Sequence, residues 1–132
     1  MKMILMGRKI SKGLAEGEVL KSSSPISFLG GVDPKTGIVM DKNSSAFGKS
    51  IKGKIFVFPM GKGSTVGSYV IYQLKKNDAA PLAIINKEAE TIVSVGAIIS
   101  DIPMVDKIEI DSIKEGKKVK INGDNGTVEI LN

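Results

Sequence analysis

One short apolar segment constrains the fold of this chain more than any other feature. Ile55-Phe56-Val57-Phe58 follows Lys54 and is ended by Pro59. A strand with one face in solvent alternates apolar and polar residues, whereas this segment has no polar position. It therefore predicts a strand that is covered on both faces, which is typical of a parallel sheet with helices packed against it.

The segments that follow extend this pattern. A glycine loop at Gly61-Lys62-Gly63 leads to Ser64, where a helix is predicted to begin. A second buried strand is predicted at Leu82-Ala83-Ile84-Ile85, a second helix from Glu88 to Ser100, and a third strand at Ile102-Pro103-Met104-Val105. This βαβαβ order predicts a parallel core with right-handed crossovers.

The spacing of apolar residues predicts which side of each helix is buried. Apolar side chains that recur every three or four residues lie on one face of a helix. The first helix is predicted to bury Val66, Tyr69, Val70, Gln73 and Leu74. The second helix is predicted to bury Ile92, Val95, Ile98 and Ile99.

Segments on both sides of this core are predicted to be β structure. On the N-terminal side, short strands are predicted at Gly17–Leu20 and Ile38–Met40, and Gly30–Gly37 is a dense turn. On the C-terminal side, alternation between Lys117 and Ile130 predicts a hairpin with its turn at Asn122–Gly126. We expect one domain over residues 1–132, since this length suits a single core.

The residue types that are missing limit the chemistry of the chain. It contains neither cysteine nor histidine. Without cysteine it can form no disulfide and offers no thiolate to an iron–sulfur cluster. Without histidine it lacks the commonest general base and the commonest metal ligand. Chemistry must therefore come from Ser, Thr, Tyr, Lys, Asp or Glu, or from a partner.

The net charge of +5 comes from lysines, because Arg8 is the only arginine. Bidentate reading of bases or phosphates by arginine clusters is therefore unavailable, and no aromatic residues interleave with the lysines. We expect no nucleic-acid partner and a mild preference for small anionic substrates. No apolar run approaches the roughly 18 residues of a membrane span, and the N-terminal apolar stretch is too short for a signal peptide. We expect a cytoplasmic protein with no membrane partner.

Two glycine motifs resemble phosphate-binding loops. Gly48-Lys49-Ser50 ends like a P-loop, but Asn43 occupies the position of the required first glycine. Gly61, Gly63 and Gly67 approximate a dinucleotide fingerprint in which the third glycine comes one position late. A nucleotide-binding module therefore remains an alternative.

The stretch from Gly61 to Thr65 places backbone N–H groups and a hydroxyl at the predicted start of a helix, where negative charge is favoured. Ser64 is also a preferred N-cap residue, and Thr65 could be the first helical residue. Spacing alone leaves both roles open for Ser64, a cap without chemistry and a reactive hydroxyl.

Three motifs in order give the chain a family resemblance: Gly-Gly-Val-Asp-Pro-Lys-Thr-Gly at 30–37, Gly-Lys-Gly-Ser-Thr-Val-Gly-Ser-Tyr at 61–69, and Glu-Ala-Glu-Thr-Ile-Val-Ser-Val-Gly-Ala-Ile-Ile at 88–99. With these motifs, the chain resembles small subunits of the archaeal aconitase X group, from about Gly13 to Ile130. The resemblance implies an α/β fold, a swivelling β/β/α domain with a small barrel-like β core and two helices packed on one side.

The resemblance also implies an activity. It implies a hydro-lyase that dehydrates (R)-5-phosphomevalonate to trans-anhydromevalonate 5-phosphate in an archaeal mevalonate route. A large aconitase-like partner subunit would hold a [4Fe-4S] cluster as the Lewis acid, and Ser64 would remove the proton next to the carboxylate. Alternatives are the small subunit of another hydroxy-acid dehydratase, such as cis-3-hydroxy-L-proline dehydratase, and a non-catalytic interaction domain in which Ser64 only caps a helix.

The chain departs from better-known aconitases directly after the serine. Their loop continues Ser-Ser-Arg-Glu, with an arginine that binds a substrate carboxylate, whereas this chain has Ser64-Thr65-Val66-Gly67. The carboxylate or phosphate must then be bound by Lys62, by backbone N–H groups such as those of Gly63 and Thr65, or by the partner subunit. We expect these residues to bind substrate and expect no metal ligand in the chain.

Overall fold

The computed structural model describes residues 3–131. The ends of the predicted domain, residues 1, 2 and 132, lie outside the described range. Within residues 3–131, one mixed sheet contains eight strands in the order β1-β8-β7-β3-β4-β5-β6-β2. The strands are β1 Met3–Met6, β2 Arg8–Ser11, β3 Leu14–Lys21, β4 Ile55–Phe58, β5 Ala83–Asn86, β6 Met104–Asp106, β7 Lys118–Asn122 and β8 Thr127–Leu131.

In the described part of the chain, three α-helical segments and one 3₁₀ turn accompany the sheet. They are α1 Phe28–Gly31, α2 Gly67–Lys76, α3 Thr91–Ile99 and the 3₁₀ turn Ile110–Ser112. In α1, Leu29 and Gly30 have non-helical dihedral angles, so this segment is a kinked turn. No helix within residues 3–131 is long and apolar enough to cross a membrane.

The predicted α/β class is confirmed, and the sheet has a parallel and an antiparallel part. Strands β3, β4, β5 and β6 are parallel, and β2 pairs with β6 in the antiparallel sense. The long strand β3 joins the two parts, since Leu14–Glu18 pairs with β7 and Val19–Lys21 pairs with β4. The sheet is not closed: β1 and β2 are its two edges.

The apolar segment 55–58 is buried on both faces, as its sequence predicts. Phe56 and Phe58 face α2 and α3, and they form an aromatic cluster with Phe28. Ile55 and Val57 point the other way, into a second core shared with the β7–β8 hairpin. Successive side chains of a strand point to opposite faces, so one short strand supplies both cores.

The buried faces of the two helices match the predicted ones only in part, since Val70 and Leu74 of α2 are buried as predicted. In α2 the buried set is Gly67, Val70, Ile71 and Leu74, while Val66 and Tyr69 are exposed. In α3 the buried set is Val93, Gly96 and Ala97, while Val95, Ile98 and Ile99 are exposed. The reason is close helix packing: a Cβ atom at Gly96 would lie 2.7 Å from Ile71 Cδ1. The small residues of α3 therefore face inward and its large ones outward.

Several predicted boundaries also shift. The second helix begins at Thr91 and not at Glu88, and the strand predicted at Ile38–Met40 is reduced to isolated bridges. The first helix begins at Gly67 and not at Ser64. No helix follows Ser50, so the P-loop interpretation of Gly48–Ser50 is wrong. The C-terminal hairpin is confirmed, and Asn122 Oδ1 accepts hydrogen bonds from two N–H groups of its turn.

Candidate active site

The glycine loop lies where β4 ends, at the edge of the sheet that the carboxyl ends of the parallel strands share. This edge is the usual place for sites in open α/β sheets. The loop is tied to the segment before α1 by two backbone hydrogen bonds. Ile26 N–H donates to Met60 O at 3.1 Å, and Lys62 N–H donates to Ile26 O at 2.9 Å. The backbone of the loop is therefore held on one side by a neighbouring segment.

Two glycines let the loop approach its neighbours closely. A Cβ atom at Gly61 would overlap Val93 and would lie 2.6 Å from Glu90 Oε1. Gly63 has a positive φ of 94°, and a Cβ atom there would overlap the Ser27 hydroxyl. Positive φ is a conformation that glycine adopts without strain. The loop is thus clamped between the start of α3 and the segment before α1.

Ser64 lies in a turn that precedes α2 and is not its N-cap, which is Val66. Its Oγ accepts a hydrogen bond from Val66 N–H at 3.1 Å, and its carbonyl accepts one from Gly67 N–H at 3.0 Å. The side chain is half-buried. In the described part of the chain no group accepts the hydroxyl proton of Ser64, so that proton is available to an acceptor outside it.

The other predicted site residues lie in the same turn. Lys62, Gly63 and Thr65 are exposed to solvent around Ser64. Across residues 3–131 no carboxylate forms an ion pair with Lys62. The ammonium group of Lys62 is therefore free to meet an anion.

Glu90 is the acidic residue nearest this loop, and its carboxylate is already engaged. It is the N-cap of α3, where Oε2 accepts from Ile92 N–H at 2.8 Å and Oε1 accepts from Val93 N–H at 3.1 Å. A carboxylate at a helix N-terminus is stabilised by the exposed N–H groups and by the helix dipole. Glu90 therefore fixes the start of α3 against Gly61.

An ion pair between a buried carboxylate and a half-exposed guanidinium group lies at the end of β6, and the sequence alone did not predict it. Asp106 is fully buried, and Arg8 donates to both of its oxygens, from Nε to Oδ1 at 2.9 Å and from Nη2 to Oδ2 at 2.7 Å. Ala89 N–H donates to Oδ2 at 2.8 Å. The two residues are 98 positions apart in the sequence. The sequence features that could have indicated the pair were the single arginine and an aspartate at the end of a predicted buried strand.

The ionisation of Asp106 reflects two opposing effects. Burial by itself raises its pKa, but the hydrogen bonds from Arg8 and from Ala89 N–H, with the charges of Arg8 and Lys107, outweigh burial and lower the pKa below its ordinary value. Asp106 is therefore a carboxylate at neutral pH. It fixes the turn that leads into Glu90 and α3.

The described residues contain no cluster that suits a metal ion. Within 3–131 no group of three or more His, Cys, Asp or Glu side chains could hold one. Two carboxylates of this part of the molecule, those of Glu90 and Asp106, are occupied by N–H and guanidinium donors. The arrangement offers a hydroxyl, an ammonium group and backbone N–H groups on one exposed turn, which suits an anionic substrate.

Comparison with known proteins supports one family. The family model described as aconitase X swivel domain matches residues 4–130. A phosphomevalonate dehydratase small subunit from Thermococcus kodakarensis is 66% identical over 129 residues, covering 98% of this chain and 97% of that protein. One with the same name from Methanosarcina acetivorans is 64% identical over 130 residues, covering 96% and 90%.

Solved structures agree with this result. The crystal structure of aconitase X from Thermococcus kodakarensis in its holo form superposes with a TM-score of 0.97 at 65% identity, covering 98% of this chain and 99% of that chain. A 3-isopropylmalate dehydratase from Methanocaldococcus jannaschii superposes with a TM-score of 0.57 at 19% identity, covering 90% and 82%. The second similarity concerns the fold alone.

Proposed function

Because the chain belongs to the aconitase X swivel-domain family, we propose that it is the small subunit of a hydro-lyase that dehydrates (R)-5-phosphomevalonate to trans-anhydromevalonate 5-phosphate. The observation that carries this proposal is 66% identity, over 98% of the chain, to a relative named phosphomevalonate dehydratase small subunit. The reaction would belong to a mevalonate route to isoprenoids. The swivelling fold predicted from the resemblance is the one that the structure and the family share.

An iron–sulfur cluster does not fit the residues of this chain. Such clusters are held mainly by cysteine thiolates, and the chain has no cysteine and no histidine. The carboxylate of Glu90, which lies beside the glycine loop, is already bound by N–H donors of the chain itself. A [4Fe-4S] cluster would therefore belong to a large partner subunit, and the small subunit would contribute a proton acceptor and groups that bind substrate.

Ser64 is the proton acceptor in this proposal. Ser64 would first release its hydroxyl proton to an acceptor of the large subunit. Its ionised Oγ would then take the proton from the carbon next to the substrate carboxylate, a C=C bond would form as the C–O bond to the adjacent carbon breaks, and the departing hydroxide would take up the proton that Ser64 had released and leave as water. The half-buried hydroxyl donates to no group of residues 3–131, so an acceptor of the large subunit would have to take its proton before Ser64 can act as a base. The loop backbone, clamped by Ile26, Glu90 and Ser27, would hold Oγ at a fixed position.

Ionisation of Ser64 needs more stabilisation than the helix provides. A helix N-terminus contributes about 0.3–1 kcal/mol at an exposed site and about 2 kcal/mol when partly buried. One pKa unit corresponds to about 1.36 kcal/mol, so this contribution lowers the pKa of a serine by little more than one unit. The unpaired Lys62, and cations of the large subunit, would supply the rest once closure excludes water. Lys62 and the N–H groups of Gly63 and Thr65 would also bind the anionic groups of the substrate.

The first prediction follows from the proposed placement of the cluster in the large subunit and of the proton acceptor in this chain. The purified chain is expected to fold, to bind no stoichiometric iron, and to show no turnover of (R)-5-phosphomevalonate. Activity is expected only after anaerobic reconstitution with the large subunit, measured as formation of the unsaturated phosphate product. Unphosphorylated mevalonate and cis-3-hydroxy-L-proline serve as control substrates. Turnover by the isolated chain, or faster turnover of either control substrate, would contradict the proposal.

The packing of the glycine loop gives a second prediction, for Gly61→Ala. The added methyl group meets Val93 and Glu90, so the loop must shift, and we expect turnover of the assembled enzyme to fall at least about 10-fold. Overpacking of this kind costs about 1–3 kcal/mol of stability.

Gly31→Ala is the matched control, because a Cβ atom at Gly31 has no other atom within 4 Å and its φ is not positive. The turnover of this variant in the assembled enzyme should stay within about twofold of that of the unsubstituted enzyme, because the added methyl group displaces no atom near the glycine loop. Equal turnover of the two variants would show that the position of the loop is not critical.

A further inference from the structure

The turn that carries Ser64 has two buried ends and an open middle. Gly61, three residues before Ser64, and Gly67, three residues after it, are buried. The five residues between them, 62–66, are exposed or half-buried. We call residues 61–67 the serine turn. Because its middle makes few contacts, the position of Ser64 depends on what holds the two ends.

The first end of the serine turn packs against Glu90 and Val93. A Cβ atom at Gly61 would lie 2.6 Å from Glu90 Oε1 and would overlap Val93 Cγ2, so the backbone of Gly61 contacts both side chains directly. The connection that precedes Glu90 holds the chain just before the serine turn. Pro59 O accepts two hydrogen bonds, at 3.0 and 3.1 Å, from the backbone N–H groups of residues 87–88.

The second end of the serine turn packs against Ile92. A Cβ atom at Gly67 would lie 3.3 Å from Ile92 Cγ2, and the hydroxyl of the next residue, Ser68, donates to Ile92 O at 2.6 Å. Both ends of the serine turn therefore contact the same four residues, 90–93, which form the N-cap and first turn of α3.

Glu90 has two separable tasks in this arrangement. Its carboxylate caps α3 by accepting hydrogen bonds from Ile92 N–H and Val93 N–H. Oε1 also faces Gly61. The first task does not require a glutamate, because aspartate is among the preferred N-cap residues. The second task requires the length of the glutamate side chain, since an aspartate that caps the helix ends one methylene group further from Gly61.

We propose that Glu90 is a positioning residue for Ser64: its side chain, held rigidly by the N–H groups of α3, supports Gly61 and thereby sets where the serine hydroxyl lies. This inference rests on the proposed function, in which Ser64 is the proton acceptor. A displacement of a reacting group by about 1 Å can lower a rate about 100-fold, so a small shift of the serine turn affects turnover.

The test compares Glu90→Asp with Glu90→Gln in the enzyme assembled with the large subunit. Glu90→Asp keeps the cap and loses the contact with Gly61, so the melting temperature should be nearly unchanged while turnover of (R)-5-phosphomevalonate falls at least about 10-fold. Glu90→Gln keeps the length but exposes an amide nitrogen to an N–H donor. Its melting temperature should fall, and its turnover should stay within about threefold of that of the unsubstituted enzyme. A residue that only caps α3 gives the opposite order.

A second measurement on the isolated chain does not depend on catalysis. Val66 N–H donates to Ser64 Oγ and Gly67 N–H donates to Ser64 O, so amide exchange at these two residues reports how well the serine turn is held. Exchange at both, measured by nuclear magnetic resonance, should be at least about threefold faster in Glu90→Asp and nearly unchanged in Glu90→Gln.

The matched control for loss of stability is Asn122→Ala, compared with Glu90→Ala. Each substitution removes an oxygen acceptor or acceptor pair that binds two backbone N–H groups, and Asn122 lies in the C-terminal hairpin, in the antiparallel part of the sheet. Asn122→Ala should lower the melting temperature and leave turnover within about twofold. Glu90→Ala should lose both the melting temperature and at least about 10-fold in turnover.

Three outcomes would overturn the inference: turnover that follows the melting temperature across the variants, unchanged exchange at Val66 and Gly67 in Glu90→Asp, or equal losses of turnover in Asn122→Ala and Glu90→Ala. Failure of the proposed function looks different. Full turnover in Ser64→Ala with faster exchange in Glu90→Asp would contradict the catalytic role of Ser64 and uphold the support of the serine turn by Glu90.

Discussion

Replacing Ser64 with alanine in the assembled enzyme is expected to lower turnover by about 100- to 10,000-fold, the range that a positioned general base contributes. Subunit association and the iron content of the complex should not change. The substitution removes one hydroxyl whose intramolecular contact is the hydrogen bond from Val66 N–H, on a half-exposed turn. The loss of folding stability should therefore be no more than about 1 kcal/mol.

Substitutions of two neighbouring residues serve as controls, and we expect each of them to lower turnover by a different amount. Lys62→Met removes a charge that is unpaired in the isolated chain and should impair turnover less than Ser64→Ala. Thr65→Ala keeps the backbone N–H group that we assign to substrate binding and should impair turnover least. Near-normal turnover in Ser64→Ala, together with a loss of about 1 kcal/mol of stability, would mean that Ser64 only stabilises its turn.

The second large effect is expected on stability, for Asp106→Asn. The substitution removes a buried carboxylate that accepts two hydrogen bonds from Arg8 and one from Ala89 N–H. The amide nitrogen of the asparagine would face hydrogen-bond donors, and the guanidinium group would keep only the more distant carboxylate of Glu88, at 3.9 Å. We expect the free energy of unfolding at pH 7 to fall by about 2–4 kcal/mol, measured by urea denaturation of the isolated chain.

The same pair predicts a pH dependence. The pKa of Asp106 is lower in the folded protein than its ordinary value of 3.8, so the folded state favours the ionised form. The resulting stabilisation is fully present above about pH 4 and is lost as the pH falls through the lower folded pKa. Asp106→Asn lacks this contribution, so its stability should depend less on pH in that acid range than that of the unsubstituted chain.

Two further variants are controls for this prediction. Asp111→Asn removes an exposed carboxylate and should change stability by less than about 0.5 kcal/mol. Arg8→Lys should lower the free energy of unfolding less than Asp106→Asn does. The Arg8 side chain is over half exposed, so water can solvate a lysine at this position. Identical denaturation curves for Asp106→Asn and the unsubstituted chain would show that the pair contributes nothing to stability.

Local patterns in the sequence were sufficient to predict the parallel core, the hairpin, the glycine loop and the family. These features depend on local patterns: four apolar residues in a row at 55–58, alternation around Asn122–Gly126, and the motif at 61–69. A pattern of this kind can be read without knowing what lies beside it, because the period of side-chain exposure follows from backbone geometry alone. The assignment of Ser64 as the base comes from the family motif and stays a prediction.

Which residues these elements bury, and which distant groups meet, depends on contacts that form when the sheet assembles. Apolar spacing in α3 was compatible with two faces, and the face with Gly96 and Ala97 turned inward because it lets Ile71 approach closely. The Arg8–Asp106 pair joins strands 98 positions apart, and no local pattern records such a contact. Burial depends on which neighbours approach a side chain, and those neighbours are brought together by the folded sheet and not by adjacent sequence.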